Sequence, residues 1–173
     1  MRYLLTLLSI TVILSCSHSR NEITKIEFAR SGAWQDWGAA VSIDSTLTYQ
    51  YYGGKQQDRH YYIGKVSSEF WDTLNRKLAK IDLNNARSED KQSVVDVHYY
   101  ELITYWHGNR KRFVRSSFIV TDSLSHFAAW INNSNKRVNL NIISKPINFE
   151  TTFQNTPLLP NIKNIKFPPP IKL

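Results

Sequence analysis

A chain of 173 residues that is 42% hydrophobic and 13% aromatic has the apolar content of an ordered globular protein, which excludes a disordered or collagen-like one. Its 6 Gly and 6 Pro leave no room for a glycine-rich phosphate cradle or for low complexity. The formal charge of +8 calls for an anionic neighbour or a solubilising surface without naming which, and the roughly 150 residues beyond the first segment suffice for one domain whose core needs no disulfide staples.

The N-terminus reads as an address. Arg2 supplies a positive start, Leu4 to Leu14 a short apolar run, and Ser15 a small residue ahead of Cys16, in the order of a secretory signal. The run falls short of the about 20 apolar residues a transmembrane helix needs. The block Ile13-Leu14-Ser15-Cys16 resembles the bacterial lipobox, in which an aliphatic, a variable and a small residue precede a cysteine that is lipidated and becomes the mature N-terminus. Cysteine usage agrees: the chain has 1 Cys, an odd thiol is a liability in an oxidising compartment, and acylation would consume it. Residues 1–15 are therefore expected to be a lipoprotein signal peptide and 16–22 a lipidated tether. One acyl chain anchors only marginally and two hold durably, so the protein should be fixed to a membrane without crossing it, on the outer membrane or periplasmic face of a bacterial envelope.

After the tether comes Ile23 to Ala29, where Ile26 and Phe28 share one face of a half-buried strand. After a loop, Ala39 to Asp44 and Leu47 to Tyr52 alternate around the turn Asp44-Ser45, and His60 to Val66 is a fourth strand. Ser67 or Ser68 can cap a helix with Phe70, Leu74, Leu78 and Ile81 at helical spacing and Trp71 beside them. Val94 to Trp106 is the longest β-branched and aromatic run, and the turn signal His107-Gly108-Asn109-Arg110 returns it as Lys111 to Val120. Thr121 or Asp122 can cap a second helix bearing Leu124, Phe127, Ala128 and Ile131. The order predicts an α+β domain over residues 23–143, an antiparallel sheet of about six strands with two helices packed on one face. Beyond Val138, which can open one more short strand to Ile143, prolines at 146, 157, 160 and 168–170 exclude a helix and predict an extended C-terminal tail over 144–173.

Residues 23–133 resemble a domain of unknown function found in small bacterial, often lipid-anchored, proteins. The resemblance rests on Ile26-Glu27-Phe28-Ala29-Arg30, on Thr48-Tyr49-Gln50-Tyr51-Tyr52-Gly53, on Ser68 to Leu83, and on Asp96 opening the strand whose hairpin turns at Gly108-Asn109. Such domains often carry a cysteine pair after the first-strand arginine. Those positions hold Ala33 and Trp37 here, so a disulfide or metal role for the pair does not transfer. The resemblance implies a fold and brings no known activity or cofactor.

The sequence contains no Gly-x-Ser-x-Gly, His-Glu-x-x-His, P-loop or Cys-x-x-Cys pattern. Asp96 and His98 lie two apart on a predicted strand and hence on one face, where a carboxylate can orient an imidazole as a general base. The plainer alternative has Asp96 bonding backbone at the strand entrance and His98 on the sheet surface. Arg30, at a strand end, can hold a ligand or staple a loop. Trp34 and Trp37 flank Gln35 and Asp36, the composition of a sugar-stacking platform, or of a lid over the sheet edge. Arg110, Lys111, Arg112 and Arg115 cluster on one hairpin, where they suit anionic lipid headgroups or simply protect an edge. Nucleic acid is not an expected partner outside the cytoplasm, and neither a cofactor nor a metal is expected.

These features point to a lipid-anchored envelope protein with a binding or structural role and no catalysis, its partner an envelope glycan or another protein. The alternatives are a glycan-acting envelope enzyme using Asp96 and His98, and an immunity or inhibitor lipoprotein. The anchor is directly testable: radiolabelled fatty acid should be incorporated by the parent protein and not by Cys16→Ser, and equal labelling of the two would refute the lipobox.

Overall fold

The structure, a computed structural model, describes residues 23–31, 38–55, 58–88, 98–116 and 122–153. These form β1 (Ile23–Arg30), β2 (Ala39–Asp44), β3 (Thr48–Lys55), β4 (Asp58–Lys65), α1 (Ser68–Leu78), β5 (Tyr99–Trp106), β6 (Asn109–Ser116), α2 (Ser123–Asn132), a 3-10 turn (Ser134–Arg137) and β7 (Leu140–Ile143). The fold is α+β. The strands make one antiparallel sheet in the order β6-β5-β1-β2-β3-β4-β7. It has seven strands where the sequence led to about six, the last being the short strand that ends at Ile143.

Local chemistry explains the element ends. At the β2–β3 turn Asp44 Oδ1 accepts the amides of Thr46 at 2.9 Å and Thr48 at 3.3 Å, the self-capping turn for which aspartate is suited. Gly108 turns β5 into β6 with φ of 73°, a left-handed backbone that glycine adopts without strain. Ser67 caps α1 by accepting from Phe70 N at 3.1 Å, and Asp122 caps α2 by accepting from Ser125 N at 2.9 Å, satisfying amides that the helix itself leaves unpaired. Gly64 admits β7: a Cβ there would run into the Asn139 carbonyl and the Val138 side chain.

Both helices cover the same face of the sheet. Ile26, Phe28, Val41, Ile43, Tyr49, Leu102 and Phe113 rise from the strands to meet Trp71, Leu74 and Leu78 of α1 and Leu124, Phe127, Ala128 and Ile131 of α2. The α1 stripe is turned slightly from the one its spacing predicts. Trp71 is buried, whereas Phe70 is half-buried and stacks on Trp130 of α2 with ring centroids 4.9 Å apart, so Phe70 seals the seam between the helices. Tyr49 crosses the core to place its hydroxyl 2.7 Å from Ser134 Oγ, which in turn donates to Ile131 O at 2.6 Å. This chain ties the end of α2 to the middle of the sheet, and its burial pushes the Tyr49 phenol well above the usual range.

Among the described residues no helix lies on the opposite face. Ala29 and Ala40 are cross-strand partners, and their small side chains leave a trough that receives Phe149 and Phe153, with Ile147, Tyr52, Tyr61, Tyr99 and Val114 around them. Residues 144–153 thus form a strap that leaves β7 and crosses the sheet; the remainder of the predicted tail lies outside the described residues.

Core packing on the helical side sets a stability expectation. Leu74 is fully buried, so Leu74→Ala should cost about 2–5 kcal/mol in urea unfolding as a cavity forms. The exposed Lys80 of the following turn should tolerate alanine within about 0.5 kcal/mol. Equal small losses would place α1 in the wrong phase.

Candidate functional site

The described ends of β1 and β6 and the starts of β2 and β5 gather at one end of the sheet, so loops distant in sequence converge there. Register sets Ala39, Arg30, Tyr100 and Arg115 in one row across β2, β1, β5 and β6. Tyr100 stacks on Phe28 at 6.1 Å and shares a 3.2 Å hydrogen bond with Ser125 Oγ at the start of α2, and burial raises its phenol pKa. Arg115 is buried; it donates through Nε to Arg87 O at 2.8 Å and pairs through Nη1 with Asp122. Partial burial pushes the Asp122 carboxyl up, but the hydrogen bonds from Arg115 and Ser125 prevail and hold it below its usual range.

The same end carries aromatic rings on both faces of the β3–β4 hairpin. Tyr52 stacks on Tyr61 at 4.7 Å, and the Arg59 guanidinium lies over Tyr52, 4.4 Å from the ring centroid, while donating to Gly38 O where β2 begins. On the other face Tyr51 and Tyr62 stand 5.6 Å apart, and His60 meets Tyr62 edge-on. His60 Nε2 is 2.7 Å from Asp58 Oδ1 in an exposed pair.

Of the residues singled out in the sequence, Arg30 and His98 are both brought to this end. His98 Nδ1 lies 3.2 Å from Ser31 O, beside a clasp in which Ser31 Oγ accepts from Tyr99 N at 2.9 Å and Ser31 N donates to Tyr99 O at 2.8 Å. Cys16, Trp34, Trp37 and Asp96 lie outside the described residues. The four basic residues of β6 are divided by strand alternation. Arg110 and Arg112 project on the strap face, exposed; Lys111 turns to the helix side, where its Nζ donates to Leu83 O and, at 3.1 Å, to Asn84 O, and Arg115 is buried as above.

Sequence reasoning passed over the most unusual pair, Glu27 and Glu101. They are 1% and 0% exposed, on neighbouring strands, and face the strap. Glu27 Oε2 accepts from Glu150 N at 2.7 Å and Thr151 N at 3.2 Å, and Glu101 Oε2 accepts from Thr152 N at 2.9 Å and Thr152 Oγ1 at 3.3 Å. Lys25 Nζ sits 2.5 Å from Glu27 Oε1, and Arg112 Nε 2.6 Å from Glu101 Oε1. Tyr105 donates to Glu150 Oε2 at 2.6 Å, and Arg110 pairs with the same carboxylate. Burial, with the negative charge of Glu27 and Glu101, pushes the Tyr105 phenol up to about 12 against the opposing pull of Arg110. The available signal was a glutamate inside each of two otherwise apolar stretches, Ile26-Glu27-Phe28 and Tyr100-Glu101-Leu102. Two carboxylates on one face suit glycoside hydrolysis when they line an open cleft. Here both are committed to main-chain amides beneath the strap.

No group of three or more His, Cys, Asp or Glu that could hold a metal ion occurs among the described residues, and no described helix is long and apolar enough to cross a membrane. No protein-family model matches the chain, and no curated protein matches it significantly.

Glu101→Ala leaves the Thr152 amide without its acceptor, while the exposed Arg112 can turn to water, so the expected cost is that of an unmet donor, about 1–3 kcal/mol. Urea unfolding should register that loss; a change within about 0.5 kcal/mol would mean that Glu101 does not help to hold the strap.

Proposed function

We propose that this is an exported, lipid-anchored protein of the bacterial envelope that works by binding, without catalysis, and that it engages a glycan at the loop end of its sheet. The observation that carries the reading is the Tyr52–Tyr61 stack with Arg59 laid across it and bonded to Gly38, where the segment bearing Trp34 and Trp37 rejoins the sheet. Apolar ring faces beside fixed polar groups suit sugar rings, which present C–H on one side and hydroxyls at the rim. The commitment of Glu27 and Glu101 to the strap supports a binding role over an acid–base one. Export and anchoring rest on the Met1 to Cys16 pattern and the single cysteine.

The full-length protein in detergent should be retained on immobilised peptidoglycan glycan strands. The double variant Trp34→Ala/Trp37→Ala should bind roughly tenfold less tightly with its melting temperature nearly unchanged. Retention equal to the parent would remove the glycan reading, and a large fall in melting temperature would assign the two indoles to the core.

A further inference from the structure

The two edges of the sheet are built in opposite ways. At one, β6 carries Arg110, Lys111, Arg112 and Arg115 within eight residues, a density of charge that discourages another strand from pairing. At the other, β7 reads Leu140-Asn141-Ile142-Ile143 and has no charge at all. Ile142, 62% exposed, and Ile63 of the adjoining β4, 37% exposed, are the exposed large hydrophobic residues among those described. Ile142 is the cross-strand partner of Tyr62, and Ile63 that of Asn141, so one isoleucine lies on each face of this edge. Every second residue of an antiparallel edge strand turns its N–H and C=O outward, which gives β7 the means to receive about four to six residues of another chain.

Charge selects the occupant. Between Ile131 and Phe149 the charged residues are Lys136, Arg137 and Lys145, with no acid among them, so cations stand on either side of β7 in the chain. A second copy would set these cations against their own kind, and a four-residue edge buries far less than the about 1,200 Å² of a stable interface between folded proteins. The chain's own residues 154–173 carry Lys163, Lys166 and Lys172 and no acid, and match no better. We propose that the β7 edge is a docking site for an extended, acidic segment of a partner protein, added to the sheet as a further strand. Main-chain bonds would supply affinity, Ile142 would receive the alternate apolar side chains that share its face, and the flanking cations would select acidic ends. The site shares no residue with the glycan surface and stands independently of it.

The probe is a fluorescein-labelled peptide, Glu-Glu-Val-Thr-Val-Glu-Glu, titrated against the full-length protein in detergent and followed by anisotropy. Saturable binding at micromolar protein is expected. Ile142→Lys, which adds a charge to the edge, and Arg137→Glu/Lys145→Glu, which reverses the exposed flanks, should each weaken it at least about tenfold. N-methylation of the two valine amides should abolish it, and a photo-crosslinking version should attach to residues 140–145. Absence of saturable binding, equal binding of a lysine-for-glutamate peptide, or crosslinks to β6 would overturn the proposal. So would binding that emerges only after residues 154–173 are removed, which would assign the edge to the chain's own end, or a stable dimer dissociated by Ile142→Lys, which would assign it to a second copy.

Discussion

A strap that crosses a sheet face has a problem that a strand does not: its amide groups have no ladder to join. The floor beneath it is made of side chains, since strand amides and carbonyls are already paired in the sheet plane, and a buried N–H without an acceptor is costly. Glu27 and Glu101 answer this by reaching up from β1 and β5 to accept from the amides of residues 150, 151 and 152. Carboxylates are the strongest acceptors available to a strand, and the buried charge they bring is met at the rim by Lys25 and Arg112. The strap's seat on this face of the sheet depends on this arrangement.

The rest of that face follows. With residues 150–152 fixed, Phe149 and Phe153 fall on either side of them into the trough left by Ala29 and Ala40, and Glu150 turns toward Tyr105 and Arg110 at the β5–β6 hairpin. The helical face is closed by ordinary means, an apolar layer of two helices locked at one point by the Tyr49–Ser134–Ile131 chain. One side of the sheet is therefore held by apolar area, and the other by a few charge-assisted hydrogen bonds on a thin apolar cover. The pair that a hydrolase would place in an open cleft is thereby a structural device.

Much of the architecture was legible because its signals are local. The alternation of Ile26 and Phe28, the turn at Asp44, the capping serine before Phe70 and the Gly108 turn each concern residues a few positions apart, and each matches an element or turn of the fold. The helical periodicity of α1 was visible, yet whether Phe70 or Trp71 faced the sheet depended on Trp130, a residue of another helix. Arg30 and His98 could be named from their strand ends; that they share an end of the sheet with Tyr100, Arg115 and the β3–β4 aromatics is a matter of strand order.

By itself, then, the sequence determined the elements, the caps and the α+β class, because hydrophobic period and turn chemistry act over one or two turns of chain. Only the tertiary structure decided which charges are structural. Arg110 and Arg115 look alike in the sequence, but strand alternation and neighbouring loops expose one and bury the other against Asp122. Glu27 and Glu101 look like misplaced surface residues until chain more than fifty positions away brings the amides that donate to them. A side chain's role at a sheet face is set by what covers that face, and the path of the covering segment is a long-range property that no local pattern encodes.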